Sequence, residues 1–179
     1  MSFYVDVMNR RVIKTRYRLS KKDVKKFLEK VKTYFGEPAV EILANFKNIE
    51  KIETRLKDAS VYLFDKKPIF LEYKEGFFPT ILHANIFKHI LPVVIVDMGA
   101  VPHIVNGADI MAPGIRKTSK EFSENEIVLV ADEEKERIFC VGKALMSSND
   151  VFSLKRGRAI KNLHHVKDAF WDFLLSLRT

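Results

Sequence analysis

The side chains of this 179-residue sequence that could act as nucleophile, base or metal ligand are one cysteine, five histidines and scattered carboxylates. Their spacing matches none of the arrangements such chemistry requires. No G-x-S-x-G elbow exposes a serine, and no G-x-x-x-x-G-K-[ST] or G-x-G-x-x-G loop offers backbone N–H groups to a phosphate. Nor does an H-E-x-x-H place two imidazoles on one helix face. Zinc needs a cluster of Cys, His or carboxylate donors, whereas Cys140 and the histidines are scattered among apolar residues. His83 and His89 are six apart, out of line on a helix, and the adjacent His164 and His165 would point to opposite sides of a strand. Asp97 and Asp109 fit capping or turn roles better than a carboxylate pair. The sequence therefore predicts no catalytic residue, no metal and no cofactor.

Cations and glycines carry a different chemistry, the binding of a polyanion. From Arg10 to Lys32 there are eleven Lys or Arg against only Asp23 and Glu29, more than the whole chain's net charge of +8. A patch this concentrated favours an anionic partner, nucleic acid first and an anionic membrane surface second. The plain alternative is a solvated, lysine-rich helix face. A second group, Lys155, Arg156, Arg158 and Lys161, falls within seven residues and reads either as phosphate partners or as a charge-protected strand edge. Between them lies DMGAVPHIVNGADIMAPGI, Asp97 to Ile115, where a buried strand ends, a helix-like turn runs through Gly99 to Val105, and Gly107 releases the chain. Glycines at both edges let a ligand approach the backbone, whose exposed N–H groups are anion donors. Pure turn geometry explains Gly99, Gly107 and Gly114 as well. Tyr17, between Arg16 and Arg18, is a base-stacking candidate that an alternating strand explains equally.

The elements that position these residues follow from periodicity. Arg11 to Leu19 reads as a strand, and Ser20 begins a helix with Asp23 at capping-box spacing. Val24, Phe27, Leu28, Val31 and Phe35 fall in one sector of that helix, with Lys22, Lys26 and Lys30 among the lysines opposite, and Gly36 stops it. A short second helix is expected at Val40–Phe46, and three strands between Ile49 and Tyr73, broken near Asp58 and at Asp65–Pro68. With Gly76 and Pro79 as punctuation and Thr80 as cap, a helix follows over Ile81–Ile90, ended before Pro92. Val93–Asp97 then reads as a buried strand, and strands at Ile127–Ala131 and Arg137–Leu145 flank an acidic turn. Phe170, Trp171, Phe173, Leu174 and Leu177 end the chain as a helix packing on the second domain. The expected fold is α+β: a basic N-terminal α+β domain over residues 1–91, then a mainly β, barrel-like domain with a C-terminal helix over residues 92–179.

Apolar residues at 47% and charged residues at 30% suit a folded chain. No apolar h-region follows a basic start, and no run approaches the roughly 18 uninterrupted apolar residues of a membrane span. The lone Cys140, in the apolar run IFCVG, excludes an intramolecular disulfide and reads as core. These features predict a cytoplasmic protein.

Asp97 to Ile115 resembles the opening of the PUA domain, named for pseudouridine synthases and archaeosine transglycosylases. Asp97-Met98-Gly99-Ala100, Asn106-Gly107-Ala108 and Pro113-Gly114-Ile115 stand in its order and spacing, and Cys140 to Val151 and Lys155 to Trp171 look like its later strands and tail. Upstream, FFPTILHANIFKHILP, Phe77 to Pro92, is similar to the interdomain junction of the malignant T-cell amplified sequence family. Its members join a pre-PUA domain to a PUA domain at nearly this length. The lysine-rich helix departs from that family's pattern, and the composition, rich in Lys, Ile and Val, suits an archaeal member.

The resemblance implies an RNA-binding, non-enzymatic translation factor that engages the small ribosomal subunit, through rRNA, or tRNA during initiation or recycling. Eukaryotic relatives work beside a density-regulated-type protein partner. In PUA domains RNA runs along the glycine-bearing turn and a late strand. Carried onto this chain, Gly99, Ala100, Asn106 and Gly107 serve backbone approach, and Lys155, Arg156, Arg158 and Lys161 contact phosphates, with Lys22, Lys26 and Lys30 as a second cationic surface. The rivals are an RNA-modifying enzyme, for which the first ninety or so residues look too short, and a PUA adaptor in RNA processing or protein recruitment.

Overall fold

The computed structural model describes residues 11–177, so Arg10, the first cation of the basic run, lies outside the described residues. Contacts divide the chain into one unit ending at Ile90, to which residues from Asp172 onward also belong, and a second unit, Leu91–Trp171.

In the first unit, strand β1 (Ile13–Arg18) leads into helix α1 (Lys21–Phe35). The helix begins where predicted because the Ser20 hydroxyl accepts the Asp23 backbone N–H at 3.2 Å, satisfying one of the donors a first turn leaves unpaired. It ends at Gly36, whose φ of +80° is a conformation glycine reaches without strain. Helix α2 (Glu37–Leu43) starts three residues before the expected Val40. Pro38 opens it instead of preceding it, since a first-turn N–H has no helical partner to lose.

Strands β2 (Ile49–Thr54), β3 (Ser60–Phe64) and β4 (Lys67–Tyr73) fall as read. The supposed punctuation at Gly76 and Pro79 is a further strand, β5 (Gly76–Pro79), paired with β4 and burying Phe77 and Phe78. Pro79 is tolerated because β5 is an edge strand. The expected helix after it is a shorter 3₁₀ segment, Ile81–Phe87, and the Thr80 hydroxyl donates to the Pro68 carbonyl at 2.6 Å instead of capping it. The five strands form an antiparallel meander in chain order. Phe27 of α1 packs on it against the rings of Tyr62, Phe64, Phe70 and Phe77, with centroids 4.3 to 5.9 Å away.

The second unit comprises β6 (Val93–Val96), α3 (Val101–Ile104), β7 (Ile110–Met111), β8 (Ile115–Thr118), β9 (Ile127–Asp132), β10 (Ile138–Ala144), α4 (Ser148–Leu154) and β11 (Arg158–His165). Its sheet runs β7-β11-β10-β9-β6-β8. The two outermost strands, β7 and β8, are separated in the chain only by the 3₁₀ turn Ala112–Gly114. Three residues span at most about 10 Å, so the sheet must curl until its edges approach, which gives the barrel-like form. Cys140 lies fully buried inside, and that burial pushes its thiol pKa well up. Only glycine fits at Gly142, where a Cβ would collide with Ile160 Cγ2 and lie 2.9 Å from the Lys161 carbonyl.

Helix α4 is an element the periodicity does not announce, although Ser147 accepts the Asp150 N–H at 3.2 Å in a repeat of the Ser20 cap. The final helix, α5 (Ala169–Ser176), forms as expected but does not close the second domain alone: its residues from Asp172, including buried Phe173 and Leu174, sort with the first unit. An apolar stripe identifies a buried face without saying which core it meets. No described helix is long and apolar enough to cross a membrane.

Candidate nucleic-acid interface

Side chains from three stretches of the second unit line one cleft of about 590 Å³. The turn after β6 contributes Asp97 and Ala100, α3 and the loop beyond it contribute His103 and Asp109, and β7 and β11 contribute Met111 and Arg158. Asp97 Oδ1 accepts the Ala100 N–H at 2.8 Å, fixing the turn that starts α3. Its other oxygen pairs with Arg116 at 3.0 Å, and the Asp97 N–H donates to the Gly114 carbonyl at 3.0 Å. A Cβ on Gly114 would lie 3.2 Å from that of Ala100, so the two backbones approach because this position has no side chain.

The far end of α3 is clamped to β11 by one residue, Asn162. Its side-chain amide donates to the carbonyls of Ile104 at 2.9 Å and Ala108 at 3.0 Å. Its backbone N–H donates to Asp109 at 2.8 Å, and the Cys140 thiol donates to its Oδ1 at 3.5 Å. Asp109 also holds the Arg158 guanidinium at 3.1 Å. Arg158 remains 63% exposed, so the carboxylate orients the cation at the cleft while leaving most of it to solvent.

The structure brings two of the predicted site residues, Ala100 and Arg158, into this cleft. Gly99, Asn106 and Gly107 are exposed on the turns bounding α3, and Lys155 and Arg156 are exposed between α4 and β11, outside the cleft lining. Lys161 is half-buried on β11, opposite Lys143. The expected backbone donors differ from the sequence reading in one physical respect. Ala100 donates to Asp97, Asn106 to His103 and Gly107 to Ile104, at 2.8 to 3.2 Å. At these three residues the N–H groups are committed within the chain. Asp97 and Asp109 take the capping and turn roles expected of them.

The first unit separates its predicted lysines. Lys22 and Lys26 are exposed on α1, whereas Lys30 is only 29% exposed, paired with Glu72 and lying 4.7 Å over the Phe77 ring. Burial raises the Glu72 pKa, but hydrogen bonds from Lys30 and Tyr62 outweigh it and hold the carboxyl below its ordinary value. Lys30 therefore serves the packing of α1 on the sheet before it serves any ligand.

Asn162 escapes the sequence reading because its partners lie more than fifty residues away. The one local signal is an Asn inside a strand, where that residue is disfavoured unless its side chain has a task. Among the described residues no group of three His, Cys, Asp or Glu is placed to hold a metal ion.

Curled sheet, glycine-bearing turn and cleft together define a PUA domain, and residues 92–166 match that family's model. Residues 15–86 match a second family, described as a domain of unknown function, DUF1947. An uncharacterized protein of Methanocaldococcus jannaschii is 39% identical over 90% of this chain and 98% of its own length. Translation machinery-associated protein 20 of Eremothecium gossypii is 30% identical, over 64% of this chain and 67% of its own length. The crystal structure of a PUA domain from Aeropyrum pernix, in a tartrate complex, superposes with a TM-score of 0.78 at 26% identity, covering 92% of this chain and 93% of that one. The chain belongs to the family of two-domain PUA proteins that includes the malignant T-cell-amplified sequence proteins and translation machinery-associated protein 20.

Proposed function

We propose that this protein is an RNA-binding factor of translation that engages the small ribosomal subunit, its rRNA or a bound tRNA, during initiation or recycling. The carrying observation is the PUA cleft, in which Asp109 presents the exposed Arg158 guanidinium beside the Ala100 turn. A phosphate placed there gains a charge-assisted contact whose direction is already fixed. Lys155 and Arg156 extend the cationic border along the chain, and Lys161 adds to it from β11. The name of the Eremothecium gossypii relative supports a place in the translation machinery. The role is binding and positioning; neither the cleft nor its rim assembles a nucleophile beside a base.

The test is co-sedimentation of the full chain with small ribosomal subunits, with and without initiator tRNA, at two salt concentrations. The expected result is salt-sensitive association that Arg156→Ala with Arg158→Ala weakens, because each phosphate a cation neutralises releases a counterion and the variant neutralises fewer. No association at low salt, even with tRNA supplied, contradicts the reading.

A further inference from the structure

The basic run ahead of and within α1 is not one surface. Tyr17 stands between two hollows of the first unit and lines both. One, of about 640 Å³, takes Arg16, Arg18 and Lys66 into its wall beside the carboxylates Glu50 and Asp65. The other, of about 330 Å³, takes Lys26, Lys30 and Lys51 beside one carboxylate, Asp23. The Tyr17 ring is 43% exposed, on the edge strand of the sheet.

Its orientation is fixed from below. The Tyr17 hydroxyl donates to Glu53 at 3.4 Å, and the same carboxylate accepts the Thr15 hydroxyl and the Lys51 ammonium, each at 3.0 Å. Hydrogen bonds from Lys51 and Thr15 lower the Glu53 pKa, so the acceptor stays ionised. Several cations around the ring are already engaged: Arg16 with Glu50 at 2.7 Å, Lys30 with Glu72, Lys51 with Glu53. Arg18, Lys26 and Lys66 have no carboxylate partner among the described residues, and they lie on both sides of Tyr17.

We infer that Tyr17 and its two flanking hollows form a second nucleic-acid site, in the DUF1947 unit, that takes a single-stranded RNA segment with one base stacked on the Tyr17 ring and phosphates running toward Arg18 and Lys66 on one side and Lys26 on the other. An exposed aromatic face between two hollows that each hold a cation without a carboxylate partner suits a flexible strand of alternating bases and phosphates. A duplex, whose bases are already stacked, cannot use the ring. The choice of RNA rests on the function proposed above; the site itself uses none of the PUA cleft's residues.

Anisotropy of a labelled single-stranded RNA octamer and of a duplex of equal length, titrated with the full chain, tests the inference. The background is Arg158→Ala, so that failure of the PUA-cleft reading leaves this one readable. Tyr17→Leu is expected to weaken octamer binding roughly 5- to 100-fold, the scale of one base–aromatic stack, and to leave duplex binding within about twofold. Tyr17→Phe, which keeps the ring, is expected to stay within about twofold of the parent. Arg18→Ala with Lys66→Ala is expected to reduce the dependence of log affinity on log salt by roughly 0.7 for each phosphate no longer neutralised. Unchanged octamer affinity in Tyr17→Leu overturns the inference. So does a loss in Tyr17→Phe as large as that in Tyr17→Leu, which would show that only the hydroxyl's bond to Glu53 matters, and so does binding of an acidic peptide but no octamer.

Discussion

Asn162 shows how the PUA turn is held at the scale of a single residue. From a strand more than fifty residues later, Asn162 donates to the carbonyl of Ile104, the last residue of α3, and to that of Ala108 in the loop beyond it. Replacing it with Ala removes both hydrogen bonds, although the Ile104 carbonyl keeps the Gly107 N–H, and two such bonds together contribute about 1–3 kcal/mol. The urea midpoint of Asn162→Ala should therefore fall with no change in slope, and the variant's RNA affinity should fall with it, because α3 and the loop beyond it are then no longer tied by a side chain to β11 beside Arg158. A midpoint unchanged within error would mean that water replaces the amide. Such a residue is nearly illegible in a sequence, since nothing local names its partners. The two glycine-bearing segments are the opposite case. The spacing of Gly99, Asn106-Gly107 and Pro113-Gly114 reports turns built from adjacent residues, so the turns could be read while the long-range hydrogen bonds that hold them could not.

Elements were legible where their ends carry chemistry. Ser20 with Asp23 and Gly36 bound α1 on the residues predicted, and the meander's strands fall between the breaks at Asp58 and Asp65. Strand β5 was missed because Gly76 and Pro79 mark turns more often than edges, and α4 because its seven residues bury little more than Val151 and leave hardly any apolar period to detect. The junction from β11 to α5 has its own lock. Asp168 accepts His164 Nδ1 at 2.8 Å, the His165 N–H at 3.1 Å and the Trp171 N–H at 2.7 Å. Burial raises its pKa, but the hydrogen bond and charge of His164 with those two backbone donors prevail, and the carboxyl sits below its ordinary value. A carboxyl depressed on folding contributes stability that is complete above its unfolded pKa, about 3.9, and is lost as pH falls through the lower folded value. Asp168→Asn should accordingly lower stability at neutral pH and flatten the acid limb of stability against pH below about pH 4. An acid limb identical to that of the parent would remove Asp168 from the account.

For the whole molecule, charge and architecture divide the work. The net charge of +8 is concentrated in the strand and helix that open the DUF1947 unit, while the PUA unit spreads its cations over several elements, among them Arg158 at the cleft and Lys155, Arg156 and Lys161 near it in the chain. Under the proposed function, phosphate attraction of this kind would bring an RNA in and set the salt dependence, and the shaped cleft would decide where it stays. Charge composition located the basic run, and the PUA resemblance located the turn that borders the cleft. Contacts sort the C-terminal helix from Asp172 on with the first unit, a grouping the sequence does not announce because periodicity carries no address. The central claim is that RNA occupies the PUA cleft, and the most direct measurement is amide chemical-shift mapping of the labelled full chain titrated with a tRNA acceptor-end oligonucleotide. The account predicts the largest saturable shifts at Asp97–Gly114 and Lys155–Asn162, reduced by Arg158→Ala. Saturable shifts confined to other surfaces, with those two segments silent, would contradict it.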